Sequence, residues 1–483
     1  MKKKLLRRAV LAAAISTASS GTMAAGFYLQ ETNPSGLGRA FAAENTIGDN
    51  AAILNRNPAG SALFDRISLS AGVTYVNPEI DAAGEVDFSV VGTNPVTGQP
   101  VPLAQVGPFR DTASDYASDA FVPDFALAVP FDDCWSFGLG MFTDYGLETD
   151  FDPDWLVTHI ADKTELLTVN IAPSVAYNFN DQFSIGLAVN FLYADATLKT
   201  KVPRNLSQQT GLFLPDGSGI PELTILDLEG DDWDVGWSLG ALWQINEQSR
   251  FGISYHSELD PELEGDVNSQ ALPNNMGGIG LRNASANLTL DLPDTLELGF
   301  YHRFNSQWGL ALGAMWTDWD DFERLEGFIP GQKFGVDPEP YNPLLIKEEN
   351  FESGMRYSIA GEYYPCEEVT WRIGYAYDEG AARDGLFDEE TASFGRPITW
   401  RTLSIPDTDR QWVTFGGTYK FSDQLSVDGG FAYLWGDDET IQEGSVIPTD
   451  SLVGPGTALV TYFDGGTTNI EAWLAGVSVN YNF

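Results

Sequence analysis

The sequence predicts an all-β fold: a fourteen-stranded antiparallel transmembrane β-barrel closed around an N-terminal plug in its lumen. Three observations predict it. Alternating segments with one greasy face recur from Arg66 to the C-terminus, and the connections between them alternate strictly between short and long. Residues 25–65, by contrast, show neither helical nor strand periodicity.

The alternation is plain in residues 183–202. Phe183, Ile185, Leu187, Val189, Phe191 and Tyr193 share one face, and Ser184, Gly186, Ala188 and Asn190 the other. The last segment sets Trp473, Val477, Val479, Tyr481 and Phe483 against Ser478, Asn480 and Asn482. Period two with small or polar residues on the second face describes a sheet with one greasy side. Fourteen such segments fall at 66–77, 119–131, 134–147, 165–179, 183–202, 232–245, 250–267, 284–304, 308–327, 350–364, 369–380, 410–421, 425–441 and 468–483.

The connections separate a barrel from a soluble sandwich. Short turns such as Asp132-Asp133, Asn180-Asp181-Gln182 and Ser422-Asp423-Gln424 alternate with long loops at 78–118, 148–164, 203–231, 268–283, 328–349, 381–409 and 442–467. A sandwich has no reason to sort its loops in this way, whereas an outer-membrane barrel does. Residues 66–483 are therefore read as the barrel.

Residues 1–24 have a basic start (Lys2, Lys3, Lys4, Arg7, Arg8), an apolar run over 9–15 and a small-residue end. That is a signal peptide, too short in its apolar part to cross a bilayer, so the mature chain is exported. Lys and Arg total 26 against 69 Asp and Glu, a net charge of −43, and cleavage removes five of the basic residues. Such acidity argues against nucleic acid as a partner and against docking on an anionic leaflet. The two cysteines, Cys134 and Cys366, fall in short turns of distant strand pairs, so they are expected as free thiols.

A barrel of fourteen strands is wider than side chains can fill and narrower than an open porin. Something must occupy its lumen, and 25–65 is the unassigned segment of suitable size. It contains two glycine-spaced turns around Gly36 and Gly38 and a compact corner at Asn57-Pro58-Ala59.

This segment resembles the start of the FadL-type outer-membrane long-chain fatty-acid channels (OMPP1/FadL/TodX-like). The resemblance rests on Ala25-Gly26-Phe27, Ser35-Gly36-Leu37-Gly38-Arg39-Ala40, Arg56-Asn57-Pro58-Ala59 and Phe64-Asp65-Arg66. It continues in Asp144-Tyr145-Gly146-Leu147, Leu292-Pro293, Trp319 with Phe322, residues 347–351, Ile405-Pro406-Asp407-Thr408-Asp409-Arg410 and the terminal aromatic Phe483. It implies a monomeric barrel in the bacterial outer membrane, assembled through its C-terminal Phe483, and passive uptake of a fatty acid or similar hydrophobic compound. It further implies capture by external loops, binding in a buried pocket, and lateral exit through the wall at a kink in the third strand, matched by Asp144, Tyr145 and Gly146. By motif, Lys347 matches the family's carboxylate-binding lysine, with Phe27 beside it. The family's partner arginine falls by spacing on Thr200, flanked by Lys199 and Lys201, so either lysine is a substitute or the substrate is a neutral aromatic or aliphatic hydrocarbon. A neighbouring residue on a strand points to the opposite face, and lysine offers a point charge where arginine binds a carboxylate bidentately.

A fatty acid must remove its tail from water, worth about 0.8 kcal/mol per CH₂, and its carboxylate must find donors as it is desolvated. Loop 203–231 supplies Leu212, Phe213 and Leu214, unusually apolar for an external loop, and 268–283 adds Leu272, Met276, Ile279 and Leu281. Such residues either capture ligand or pack the loops together. Gly146 within a strand fits a bend. Enzymatic chemistry has little support: His159, His256 and His302 are scattered, Asp150, Asp152 and Asp154 lack the Gly and Glu of a calcium loop, and Gly36-Leu37-Gly38 is not a dinucleotide fingerprint. No enzyme activity, metal or cofactor is expected. An outer-membrane hydrolase using a Ser–His pair is the remaining alternative of another class.

Overall fold

The computed structural model describes residues 26–93, 100–214, 216–273, 279–330, 344–388, 396–448 and 457–483. The signal peptide and Met276 lie outside them.

The greasy-faced segments become the staves of one closed antiparallel barrel of fourteen crossings. The wall opens with β1 (Ser68–Thr93), whose upper half pairs with β2 (Pro100–Ala113) before the chain returns in β3 (Ala120–Pro130). The third crossing is broken into β4 (Trp135–Phe142) and β5 (Gly146–Asp150). Three long strands follow, β6 (Lys163–Asn180), β7 (Phe183–Lys201) and β8 (Thr224–Asn246). Four more crossings are interrupted: β9 (Ser249–His256) with β10 (Glu262–Pro273), β11 (Ile279–Thr289) with β12 (Thr295–Arg303), β13 (Trp308–Thr317) with β14 (Arg324–Phe328), and β15 (Leu345–Glu348) with β16 (Gly354–Tyr363). After β17 (Val369–Asp378), β18 (Leu386–Asp388) and β19 (Ile398–Thr399) pair as a small sheet of their own, tied to the wall where the Gln442 amide donates to Thr399 Oγ1 at 2.9 Å. The ring finishes with β20 (Arg410–Lys420), β21 (Leu425–Gly436) continued by β22 (Glu439–Pro448), and β23 (Thr457–Asn482). β1 pairs with β23 from Ser68↔Asn482 to Gly92↔Thr457 and with β3 on its other edge, so the first and last strands close the ring.

The outward positions explain both membrane band and acidity. On β7 and β8 the exposed face carries Phe183 to Phe191 at odd positions and Trp237, Leu239 and Trp243. At one height Tyr193 stands opposite Trp233, and one step further out Asp195 stands opposite Asp231. The seam between first and last strand repeats this change: Tyr75 packs on Trp473 at 5.2 Å between ring centroids, and beyond it Glu79 faces Glu471. Aromatic rings mark the membrane boundary, and the wall above it turns acidic where it enters water.

The wall also runs further than the hydrophobic alternation predicts. Long loops 78–118, 203–231, 268–283 and 442–467 are partly strand, because β1, β8, β10, β11, β22 and β23 extend into them. Above the aromatic band the outward face is polar, so the greasy alternation stops although the hydrogen-bond ladder continues. On the opposite side the turns are short, and Cys134 and Cys366 there are exposed and free. A maleimide should therefore modify both thiols of the unreduced, folded protein, giving two adducts by mass; zero adducts would contradict this placement.

Residues 26–61 are buried apart from Gly48 and Asp49, and their short helical turns pack against β1, β3, β4, β6, β7, β8, β20, β21 and β23. Asn33 caps a short helix at Pro34–Leu37, its Oδ1 accepting from the Ser35 and Gly36 amides at 2.7 and 3.1 Å. Asn57 does the same for the turn Pro58–Leu63, accepting from the Ala59 amide at 2.9 Å and donating to the Asn45 carbonyl at 2.8 Å.

Glycine pairs in the wall make room for these corners. Gly186 of β7 and Gly240 of β8 are register partners, and a side chain on either would collide with Asn57, Pro58 or Ala59. Gly416 and Gly430 are partners on β20 and β21; they receive Gly38, where a methyl group would come within 2.8 Å of Gly416 Cα, and Leu37. Gly299 of β12, opposite both Gly252 and Gly313, receives Asn45 and Thr46.

An ionic lattice, buried except for Asp49, joins segment to wall. Arg39 contacts Glu44 at 2.8 Å, Asp49 at 2.7 Å and Glu362 of β16 at 3.3 Å, while Arg372 of β17 reaches Asp49 at 2.9 Å and Glu362 at 3.1 Å. Ala40, Phe41 and Ala43 hold left-handed φ values of 51 to 55°, a conformation kept only where packing dictates it.

Candidate functional site

The third crossing leaves the wall at Thr143, Asp144 and Tyr145. β3 pairs with β4 only from Phe125↔Met141 to Pro130↔Ser136, so Ala120 to Asp124 lack a ladder partner on that side among the described residues. Above the gap pairing resumes at Ala117↔Thr149, with the Ser118 amide donating to the Glu148 carbonyl at 3.2 Å. The displaced residues are satisfied inside. The Leu29 amide donates to the Asp144 carbonyl at 2.7 Å, the Gly146 amide to the Phe27 carbonyl at 3.0 Å, and Tyr28 bridges Tyr145. Asn170 donates to the Asp144 carboxylate at 2.9 Å, and the Tyr145 hydroxyl donates to the Pro293 carbonyl at 2.7 Å. A side chain at Gly146 would press on Leu29, its Cβ 3.0 Å from Leu29 Cδ1. The wall strand thus exchanges one ladder partner for the start of the enclosed segment.

Phe27 is wholly buried in an aromatic cage. Its ring lies 4.7 Å from Trp319, 5.1 Å from Phe322 and 6.2 Å from Tyr145, all edge-on, and Phe351 closes the cluster against Trp319 and Phe322. Next to Phe27 is a cavity of about 30 Å³ bounded by Leu147, Leu166, Leu198, Leu290, Phe322, Leu325 and Ile405. That is room for a water or two in an apolar setting, far less than an acyl chain needs. The Gly26 amide donates at 3.1 Å to Asp407, which also accepts from the Ala382 amide at 2.8 Å and pairs with Arg410 at 2.9 Å. The motif at 405–410 thereby holds the first residues of the segment.

Lys347 faces inward on β15, its neighbour Ile346 being exposed, and its ladder partner is Leu325 of the cavity wall. Its ammonium donates to Ser404 Oγ and lies 3.5 Å from Glu443 Oε1. Glu443 Oε2 in turn accepts from the Leu403 amide at 3.1 Å. Fully buried Glu349 accepts from the Thr402 hydroxyl at 3.4 Å. The cation therefore stands at the edge of the apolar cavity with its charge already answered.

The other basic positions are placed elsewhere. Lys199 lies on the outward face of β7, paired with Asp227 at 3.1 Å and Glu229 at 3.0 Å. Lys201 pairs with Asp162 at 2.7 Å. The structure does not bring either to Lys347, and Thr200 between them carries no charge. In the loop, Leu212 is buried in the main apolar cluster, Phe213 is exposed and Leu214 half-buried, so the first packs and the second remains available. Residues 151–162 fold into the mouth, burying Trp155, Leu156, Val157 and Ile160. Burial there pushes His159 down to about 3, so this ring is neutral at any ordinary pH.

Among the described residues Ser238 Oγ lies 3.0 Å from His256 Nδ1 and Ser249 Oγ 2.9 Å from His302 Nδ1. The second nitrogen of His256 contacts the Arg56 carbonyl at 3.0 Å, so no carboxylate orients it as a general base. Among the described residues no group of His, Cys, Asp and Glu has a metal-holding arrangement.

The family described as "Outer membrane protein transport protein (OMPP1/FadL/TodX)" matches residues 15–483. The chain belongs to this family. It is an outer-membrane transport protein of bacteria and not an enzyme. It is 31% identical over the full length of both chains to the "Long-chain fatty acid transport protein" of Escherichia coli O6:H1. A solved Pseudomonas aeruginosa FadL homologue superposes with a TM-score of 0.73 at 22% identity, covering 95% of this chain and all of that one. The Pseudomonas putida toluene transporter TodX superposes at 0.58 and 16% identity, covering 95% and 100%. Sequence reasoning missed Glu443, Ser404 and the glycine seats. Glu443 and Ser404 stand in long loops with no periodicity to flag them. The glycines were visible as small-face residues of the strands, but their cross-strand pairing appears only once register is known.

Proposed function

We propose that this protein is a passive uptake channel for long-chain fatty acids, with the carboxylate taken by Lys347. The observation that carries the reading is an inward cation at the rim of an apolar cavity walled by Phe27. Family relatives described as long-chain fatty acid transport proteins support it. External apolar side chains such as Phe213 take the tail from water first. Because the cavity beside Phe27 is so small, the ligand must displace Phe27 from its cage, and the backbone bonds of Leu29 and Gly146 carry that movement to the kink. The gap between β3 and the third crossing is the proposed lateral exit, so the product leaves into the membrane and not into water. Residues 25–65 act as the hatch, and Phe483, exposed at the barrel base, is the proposed assembly signal.

A second reading, transport of neutral hydrocarbons, is favoured by the acids already beside Lys347 and by the likeness to a toluene transporter. Uptake of labelled oleate, methyl oleate and toluene by cells with wild type or Lys347→Ala separates the two. Loss of the cation is expected to cut oleate uptake by about tenfold or more while sparing the two neutral compounds. Equal oleate uptake by both proteins would refute the head-group assignment. Entry of toluene without oleate would establish the second reading.

A further inference from the structure

Lysine carries three N–H donors and no acceptor, so it can hold several oxygens at once. In this site two of its partners are already protein: Ser404 and Glu443. Both Lys347 and Glu443 are only 12% exposed, so water screens their interaction weakly. Glu349, fully buried two residues along, leaves its Oε1 without a hydrogen-bond partner among the described residues. A ligand carboxylate entering here would put a second carboxylate beside that of Glu443 on a single cation in a low-dielectric setting, and like charges at such range repel strongly.

We propose that Glu443 is a resident competitor for the ligand head group: it exchanges with the fatty-acid carboxylate on Lys347 and thereby sets the channel's affinity and drives release. This rests on the head-group reading above and adds a specificity-determining residue to it. The chemistry suits a passive channel, in which binding must be strong enough to admit the ligand and weak enough to let it leave. The second oxygen of Glu443 keeps hold of the Leu403 amide, so the competitor stays tethered while its first oxygen swings off the lysine. A neutral ligand gains nothing from the exchange and is indifferent to it.

The test is equilibrium and stopped-flow binding to the purified detergent-solubilised protein, with oleate and methyl oleate as probes. Glu443→Gln keeps an acceptor for Leu403 and removes only the charge. It is expected to tighten oleate about tenfold, mainly through slower dissociation, and to leave methyl oleate within about twofold. Heat-modifiable gel mobility verifies the folded barrel, and Glu443→Ser carries the same expectation should the first variant not fold. Unchanged or weaker oleate binding in the folded variant would overturn the proposal. If Lys347→Ala still weakens oleate in that case, only the role of Glu443 falls. If Lys347→Ala also leaves oleate binding intact, the head-group reading itself fails.

Discussion

Gly240→Leu is expected to unseat the enclosed segment and turn a closed channel into a leaky one. Gly240 and its partner Gly186 form a hollow in the lumenal wall, and the Asn57-Pro58-Ala59 corner fills it at backbone contact. A leucine there meets the Asn57 side-chain amide and the Pro58 ring; the amide is pinned by its bonds to the Ala59 amide and the Asn45 carbonyl and the ring is rigid, so neither can yield cheaply. Overpacking a well-filled site costs about 1–3 kcal/mol, and the least expensive response is to expel the corner while the hydrogen-bonded barrel stays intact. Planar-bilayer conductance and permeability of cells to bulky antibiotics are expected to rise, and oleate binding to fall, with heat-modifiable barrel mobility retained. Gly361→Leu is the control: a Cβ there meets nothing closer than Ile373 at 3.9 Å, so conductance should stay at the wild-type level. Wild-type conductance and binding in Gly240→Leu would mean that the seat does not position the corner.

Arg39→Ala is expected to have the largest effect on stability. The guanidinium is wholly buried and lies within 3.3 Å of three carboxylates, those of Glu44, Asp49 and Glu362. Removing one partner of a buried pair leaves uncompensated charge, a loss of about 3–5 kcal/mol. Arg372 still answers Asp49 and Glu362 after the substitution, so the lower end of that range applies, and Glu44 is the acid left stranded. Two of the carboxylates belong to the enclosed segment and one to β16, so the loss falls on the contact between segment and wall. Limited proteolysis is expected to cut within residues 26–65 of the variant at temperatures where wild type resists, while the barrel core resists in both. Arg39→Lys should rescue only part of the loss, because a single ammonium cannot reach all three carboxylates through a planar fork. Equal proteolytic resistance of Arg39→Ala and wild type would show that the lattice contributes little.

Much of the wall was legible along the chain. All fourteen segments read from alternation correspond to wall crossings, because one greasy face meeting lipid imposes a period of two that any short window reveals. Their outer ends were misjudged for the same reason: past Tyr193 and Trp233 the face meets water, the greasy signal ends, and the ladder continues through Asp195 and Asp231. The kink at Asp144, Tyr145 and Gly146 was visible by motif, and the structure shows what replaces the lost ladder there. Lys347 was visible as a cation beside Leu344, Leu345 and Ile346. Its partner Glu443 was not, since it lies far away in sequence on β22.

What the sequence determined by itself is therefore whatever is repeated locally: strand number, which face meets lipid, the sorting of loops, and a segment that belongs to no strand. The tertiary structure alone decided which glycines pair into seats, which acids answer Arg39, and how Lys347 is occupied. The physical reason is range. Alternation is enforced residue by residue by a uniform membrane, whereas seats, ion lattices and the Lys347–Glu443 pair depend on register between strands far apart in the chain, fixed only when β1 meets β23 and the ring closes.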